Sequence, residues 1–220
     1  IKASFRAAKR NNAPIYFATT LNQVDCDGGY TGMTQEAFTK ILAREAAAVH
    51  YTGPYVVAID HGGPWLKDKQ SIERWDTERA MNGVKKSYEA AILAGYDLIH
   101  VDPTVDIFLP KGEIIDIHVV VKRTVELIKH AEDFRKAHNI APISYEVGTE
   151  EVHGGLADEK TFDTFLEGLK AGLHEVGLDD VWPCFIVGKV GTDLHTTFFD
   201  PEVARKLTAK VRPYGSYIKG

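Results

Sequence analysis

With 220 residues, 44% of them hydrophobic and 26% charged, the chain has the makeup of one globular domain with a substantial core. A net charge of −5 argues against nucleic-acid binding, since no basic face offsets phosphate repulsion, and no apolar run nears the ~18 residues that span a bilayer. The two cysteines, Cys26 and Cys184, lie far apart without a CxxC pattern, as expected of reduced thiols in the cytoplasm. The start at Ile1 has neither the form of a signal peptide nor an initiator Met, so further residues are expected upstream.

Short β-branched or aromatic runs alternate with longer stretches of helical apolar spacing. Residues 14–20 form the first expected strand. Asn22 and Gln23 follow, then a glycine-rich turn through Gly28, Gly29 and Gly32, and a helix with Thr34 as N-cap and Phe38, Ile41, Leu42 and Val49 as its apolar stripe. The second strand, 55–59, runs straight into Asp60-His61-Gly62-Gly63-Pro64, and the next helix carries Met81, Val84, Tyr88, Ala91 and Ile92. A third strand at 98–101 leads to Asp102 and to a helix marked by Ile117, Val121, Val125, Ile128 and Ala131. The fourth, 143–147, opens an acidic loop. The helix after it has the cleanest stripe of all: Phe162, Phe165, Leu166, Leu169, Leu173 and Val176. A fifth strand, 184–187, precedes Lys189, Asp193 and His195 and a short helix entered through Asp200-Pro201; a sixth lies at 216–219.

Apolar strands alternating with helices indicate a parallel sheet buried on both faces, either doubly wound or most of a (β/α)8 barrel. Polar or charged residues after five successive strands favour the barrel, whose loops all converge on one mouth. An open sheet would gather them at a single crevice. The expected fold is an α/β (β/α)8 TIM barrel, a single domain over 1–220 with about six βα units, the C-terminal remainder lying outside the sequence.

Five strand-end groups carry candidate chemistry. The turn after Asn22-Gln23 can hold an anion on its backbone N–H groups, or it can be a tight turn leading to the Thr34 cap. Asp60-His61 offers a proton carrier beside a ligand for Zn²⁺ or Mn²⁺; the plain alternative is a capping acid and a surface histidine. Asp102 can hold a sugar hydroxyl, whereas His100, inside an apolar strand, reads as a core histidine rather than a ligand. Alternation puts Glu146 opposite Tyr145 and Val147, pointing either into the barrel or out toward a helix, while Glu150 lies in the loop as an acid partner for Asp60. Asp193 and His195, two apart, can share one metal, and Lys189 can meet an anionic group. The sequence has no GxxxxGK[ST], GxGxxG or GxSxG motif and no lysine in a plainly apolar strand interior. That disfavours nucleotide, serine-hydrolase and Schiff-base chemistry and leaves metal-stabilised enolate chemistry as the best-supported class.

In order along the chain, Asn22-Gln23-Val24 with Gly28-Gly29-Tyr30-Thr31-Gly32-Met33-Thr34, Asp60-His61-Gly62-Gly63-Pro64, Ile99-His100-Val101-Asp102 and Gly148-Thr149-Glu150 with Gly154-Gly155 resemble one family. It is the GatZ/KbaZ-type tagatose-1,6-bisphosphate aldolase subunit family, among the metal-dependent class II aldolase-like barrels. Its segments read NQV…GGYTGMT, DHLGP, IHLD and GTE…GG, and the resemblance runs from residue 5 to about 200. This chain departs from it at Gly62, at Glu151-Val152-His153 and at Gly191-Thr192-Asp193-Leu194-His195, where family members carry a PGVEF-like end.

The resemblance implies a divalent-metal enzyme of ketohexoses or their phosphates, an aldolase or a C4-epimerase, since both can proceed by breaking and remaking C3–C4. Its implied metal ligands are His61 and His195, or Asp193 in place of His195. Asp60 is the implied acid/base, with Glu150 its carboxyl counterpart, and Asn22, Gln23, Gly29, Thr31, Asp102, Glu146 and Lys189 form the substrate set. The alternative it implies is a non-catalytic subunit that stabilises a separate class II aldolase. Expected partners are a sugar or sugar phosphate, and further copies of the chain or that aldolase.

Overall fold

The computed structural model describes residues 1–110, 112–149, 158–190 and 200–219. Six strands, β1 (Ile15–Thr20), β2 (Tyr55–Gly62), β3 (Leu98–Val101), β4 (Ser144–Gly148), β5 (Phe185–Val187) and β6 (Tyr217–Lys219), form one sheet in the order of the sequence, every pairing parallel. A doubly wound sheet must reverse its strand order at a switch point, and this one never does. It curls instead into six consecutive units of a (β/α)8 barrel, as the strand-end pattern suggested.

The helices α1 (Lys2–Asn11), α2 (Gln35–Ala48), α3 (Asp68–Ile72), α4 (Thr77–Leu93), α5 (Ile117–Ala137), α6 (Glu159–Glu175) and α7 (Pro201–Val211) line the outside, α1 packing on α2, α2 on α4, α4 on α5 and α5 on α6. The stripes read from the sequence are the buried faces. Met81, Val84, Tyr88, Ala91 and Ile92 of α4 are all in the core, as are Phe162, Phe165, Leu166, Leu169 and Leu173 of α6. The Thr34 hydroxyl caps α2 by accepting from the Ala37 N–H at 3.2 Å, and Asp200 caps α7 through the Glu202 and Val203 N–H groups. Helix α1 has no counterpart in the sequence reading. Its buried Phe5 packs against Phe17, Tyr51 and Tyr55, holding α1 to the first unit. Among the described residues no helix is long and apolar enough to cross a membrane.

Register places the site. Thr20 pairs with Asp60, and His100 pairs with Glu146, which continues through Phe185 to Tyr217. Asp60 lies one residue past the Ile59–Ile99 pair, so the acids and the imidazole fall in one row across β2, β3 and β4.

Candidate metal and proton-transfer site

Strand β2 does not end at Ile59 but continues through Gly62, and a bulge interrupts it: Ile59 pairs with Ile99, whereas Gly62 pairs with Val101, so β2 uses one residue more than β3. The extra residue carries the left-handed backbone, His61 at φ +50°. Strict alternation would send Asp60 and His61 to opposite faces of the sheet. With the bulge, both face the C-terminal mouth, and the His61 N–H donates to His100 Nδ1 at 3.2 Å. The Gly62 carbonyl accepts from the Tyr88 hydroxyl at 2.5 Å and the Asp102 N–H at 3.2 Å, which pins the bulge to α4 and β3. A methyl group on Gly63 would stand 1.7 Å from the Asp102 carbonyl oxygen, so the backbone passes β3 at a distance that only glycine allows.

Two groups result. In the first, Asp60, His100 and Glu146 each place a ligand atom within 4.8 Å of the others. His100 Nδ1 lies 3.5 Å from Asp60 Oδ1 and 3.4 Å from Glu146 Oε1, too far for good hydrogen bonds and suited to donors arranged about a common point. His100 and Glu146 are each 1% exposed and Asp60 29%, so the cluster opens on its Asp60 side. Nδ1 carries one lone pair, which here accepts from the His61 amide; an ion among the three donors would take that lone pair in place of the amide. Two carboxylate oxygens and an imidazole nitrogen suit Mn²⁺ or Zn²⁺. The residues fit such an ion.

The inner wall is accordingly anionic. The His100 imidazole holds the Asp60 carboxyl down to about 2, against the upward push of burial and with help from the charges of His61 and Lys219. Burial, then the charges of Glu146 and Asp60, push the Tyr16 phenol on β1 well above its ordinary value. Lys219 of β6 completes the cluster, donating to Glu146 Oε1 at 2.6 Å. The inner face thus carries a lysine, at the end of the short sixth strand rather than in an apolar strand interior.

The depressed Asp60 value has a consequence for stability. A carboxyl whose folded pKa lies below its unfolded value of about 3.9 stabilises the fold above that pH and ceases to as pH falls toward about 2. After allowance for solvent screening, the contribution is about 1–2 kcal/mol. Urea unfolding of metal-free wild type and Asp60→Asn is expected to differ by that amount at pH 6 and to converge only as pH falls below about 2. An equal difference at both ends would contradict the assignment.

The second group is a dyad. His61 Nδ1 lies 2.7 Å from Asp102 Oδ2, and the Thr104 hydroxyl donates to Asp102 Oδ1 at 2.5 Å. Burial pushes the Asp102 carboxyl up, but the hydrogen bond from His61, the charges of both imidazoles and the Thr104 hydroxyl bring it net below its ordinary value. An ionised carboxylate only accepts, so the proton of the His61–Asp102 contact sits on Nδ1, and Nε2 is the nitrogen that exchanges protons. His61 is 45% exposed at the mouth.

The other expected site residues divide differently. Asn22 exchanges hydrogen bonds with Asp68, its Nδ2 donating to Oδ1 and its Oδ1 accepting from the Asp68 N–H, both at 2.9 Å. Gln23 Oε1 accepts from the Thr20 N–H at 3.0 Å, and the Thr31 hydroxyl donates to the Gln23 carbonyl at 2.6 Å. A methyl on Gly29 would meet that carbonyl oxygen at 2.5 Å, with φ at +52°. Lys67 reaches across to Asp25 and Asp27, and Asp25 also accepts from Gln35. These groups brace the loop after β1 against the loop after β2. Lys189 lies half-buried just past β5. Glu150, Asp193 and His195 lie outside the described residues.

The aldolase-subunit family described as D-tagatose-1,6-bisphosphate aldolase subunit GatZ/KbaZ-like matches residues 1–207. The chain belongs to the GatZ/KbaZ-like family. Among solved structures, a probable tagatose 6 phosphate kinase from Sinorhizobium meliloti 1021 is similar over 99% of this chain and 54% of its own, with a TM-score of 0.81 at 23% identity. This GatZ/KbaZ-like chain therefore spans about half the length of that protein, and the likeness is one of fold. D-Psicose 3-epimerase with D-tagatose from Clostridium cellulolyticum H10 matches at a TM-score of 0.49 and 10% identity, over 99% of this chain and 78% of its own.

Proposed function

We propose that the chain binds a divalent ion at Asp60, His100 and Glu146 and acts on a ketohexose or its phosphate by retro-aldol and aldol chemistry at C3–C4, with His61 as proton carrier. The observation that carries this reading is the convergence of those three donors on one point of a barrel mouth, beside a His–Asp dyad. The family's description as a D-tagatose-1,6-bisphosphate aldolase subunit supports a tagatose-type sugar phosphate as the substrate class. Relative to the roles implied by the motif resemblance, Asp60 and His61 exchange places: the acid becomes the ligand and the imidazole the base. Asp193 and His195, expected beside His61 on a metal, lie outside the described residues.

When bound, the ion supplies positive charge to the oxygen on which the enolate develops. The chain's own residues do the rest. His61 Nε2 removes the C4 hydroxyl proton, the C3–C4 bond breaks, and its electron pair passes to the C2 carbonyl, giving an enediolate and an aldehyde. Asp102 carries the imidazolium charge while it lasts. Return of the proton with readdition on the same face regenerates the substrate, and readdition on the other face of the aldehyde gives the C4 epimer. Escape of the two fragments makes the same site an aldolase.

Purified protein incubated with Mn²⁺ or Zn²⁺ and tagatose or fructose 6-phosphate is expected to interconvert the two or to release trioses. No conversion with either ion and either sugar would sink the catalytic reading. The word subunit in the family description favours a second reading, a non-catalytic partner of a separate class II aldolase. Activity that appears only after co-purification with such an aldolase, with little bound ion in this chain, would decide for it.

A further inference from the structure

We propose that Lys219 is a built-in cation that occupies the Asp60–His100–Glu146 cluster when no divalent ion is bound and gives way when one arrives. The inference rests on the reading of that cluster as a metal site. The Lys219 ammonium lies 2.6 Å from Glu146 Oε1 and 3.6 Å from Asp60 Oδ1. These are the same two oxygens that stand nearest His100 Nδ1. The ammonium and a divalent ion would thus draw on one pair of carboxylate oxygens, and two cations held there would repel each other.

Position and burial give the arrangement its direction. Glu146 is almost wholly buried, and a carboxylate in that setting needs a compensating charge whether or not a metal is present. Glu146 pairs with Phe185, whereas Lys219 pairs with Val187, two residues nearer the mouth, so the lysine reaches down to its partner. Its side chain is 40% exposed. The flexible stem can therefore stay against the wall while the head swings into solvent. A fully buried lysine could not leave in this way.

Calorimetric titration of the purified protein with Mn²⁺, and separately with Zn²⁺, tests the idea in wild type, Lys219→Met and Lys219→Arg. Lys219→Met is expected to bind the ion on the order of tenfold tighter, having no cation to displace, and to melt lower than wild type when metal-free. Lys219→Arg, which keeps the charge, is expected to stay near wild type. Equal or weaker binding by Lys219→Met, with wild-type binding intact, overturns the inference and leaves the metal site standing. No binding of either ion by any of the three proteins overturns both. A measurement without substitution guards against a variant that fails to fold: amine acylation of wild type, read at Lys219 by peptide mass spectrometry. Labelling is expected to rise several-fold on adding Mn²⁺, and unchanged labelling counts against displacement.

Discussion

Ketose turnover is expected to fall roughly 10²–10⁴-fold in His61→Asn while the protein keeps its divalent ion, the range by which a positioned acid–base group accelerates such a step. Asparagine is the suitable replacement because it tolerates the φ of +50° that the bulge imposes, so the backbone and the Asp60 carboxylate stay where they are. Glu146→Gln is expected to behave in the opposite manner, losing the ion and the activity together, because a neutral amide replaces a carboxylate ligand and leaves Lys219 beside it. Metal content measured alongside rate separates the two. If His61→Asn emptied the site of metal, His61 would be a ligand after all and the dyad with Asp102 a supporting contact.

Gly63→Ala is expected to destabilise the fold by about 3 kcal/mol or more, read as a lower urea midpoint with an unchanged slope. The added methyl would stand 1.7 Å from the Asp102 carbonyl oxygen, and that oxygen belongs to backbone, which does not rotate aside like a side chain. Either the end of β3 moves or the bulge opens. Both displace Asp102 from His61, so residual folded protein should also lose turnover. A loss under about 1 kcal/mol would mean that β2 and β3 separate more readily than their shared hydrogen bonds at Gly62 suggest.

Most of the scaffold was legible because it obeys short-range rules. Apolar spacing located α2, α4, α5, α6 and α7, and β-branched runs located all six strands to within a few residues. The site was legible only in part, since each thing missed depends on a relation between strands. His100 has apolar neighbours on both sides and reads as core, and only the pairing with Glu146 shows it facing an acid. Whether Glu146 pointed in or out was open from alternation alone, and β3 and β5 settle it. No local feature of Asp60-His61-Gly62 announces a bulge, yet the bulge determines which of the two residues meets His100 and which meets Asp102. Helix α1 was missed for another reason: its buried face consists of Phe5 and Ala8 alone, set among exposed basic residues.

The loop brace has a consequence for how related sequences are sorted. Asn22, Gln23, Gly29 and Thr31, which dominate the NQV…GGYTGMT string, make their contacts with backbone and with Asp68, and none belongs to the three-donor cluster. A relative could shed its chemistry and keep that string intact, because what the string maintains is the join between two loops. The discriminating positions are quieter: one acid, one imidazole and one further acid on three adjacent strands, with Glu146 outside every string that carries the resemblance. Working enzymes and scaffolding subunits of this family should therefore part company at positions 60, 100 and 146, however alike their glycine-rich turns are.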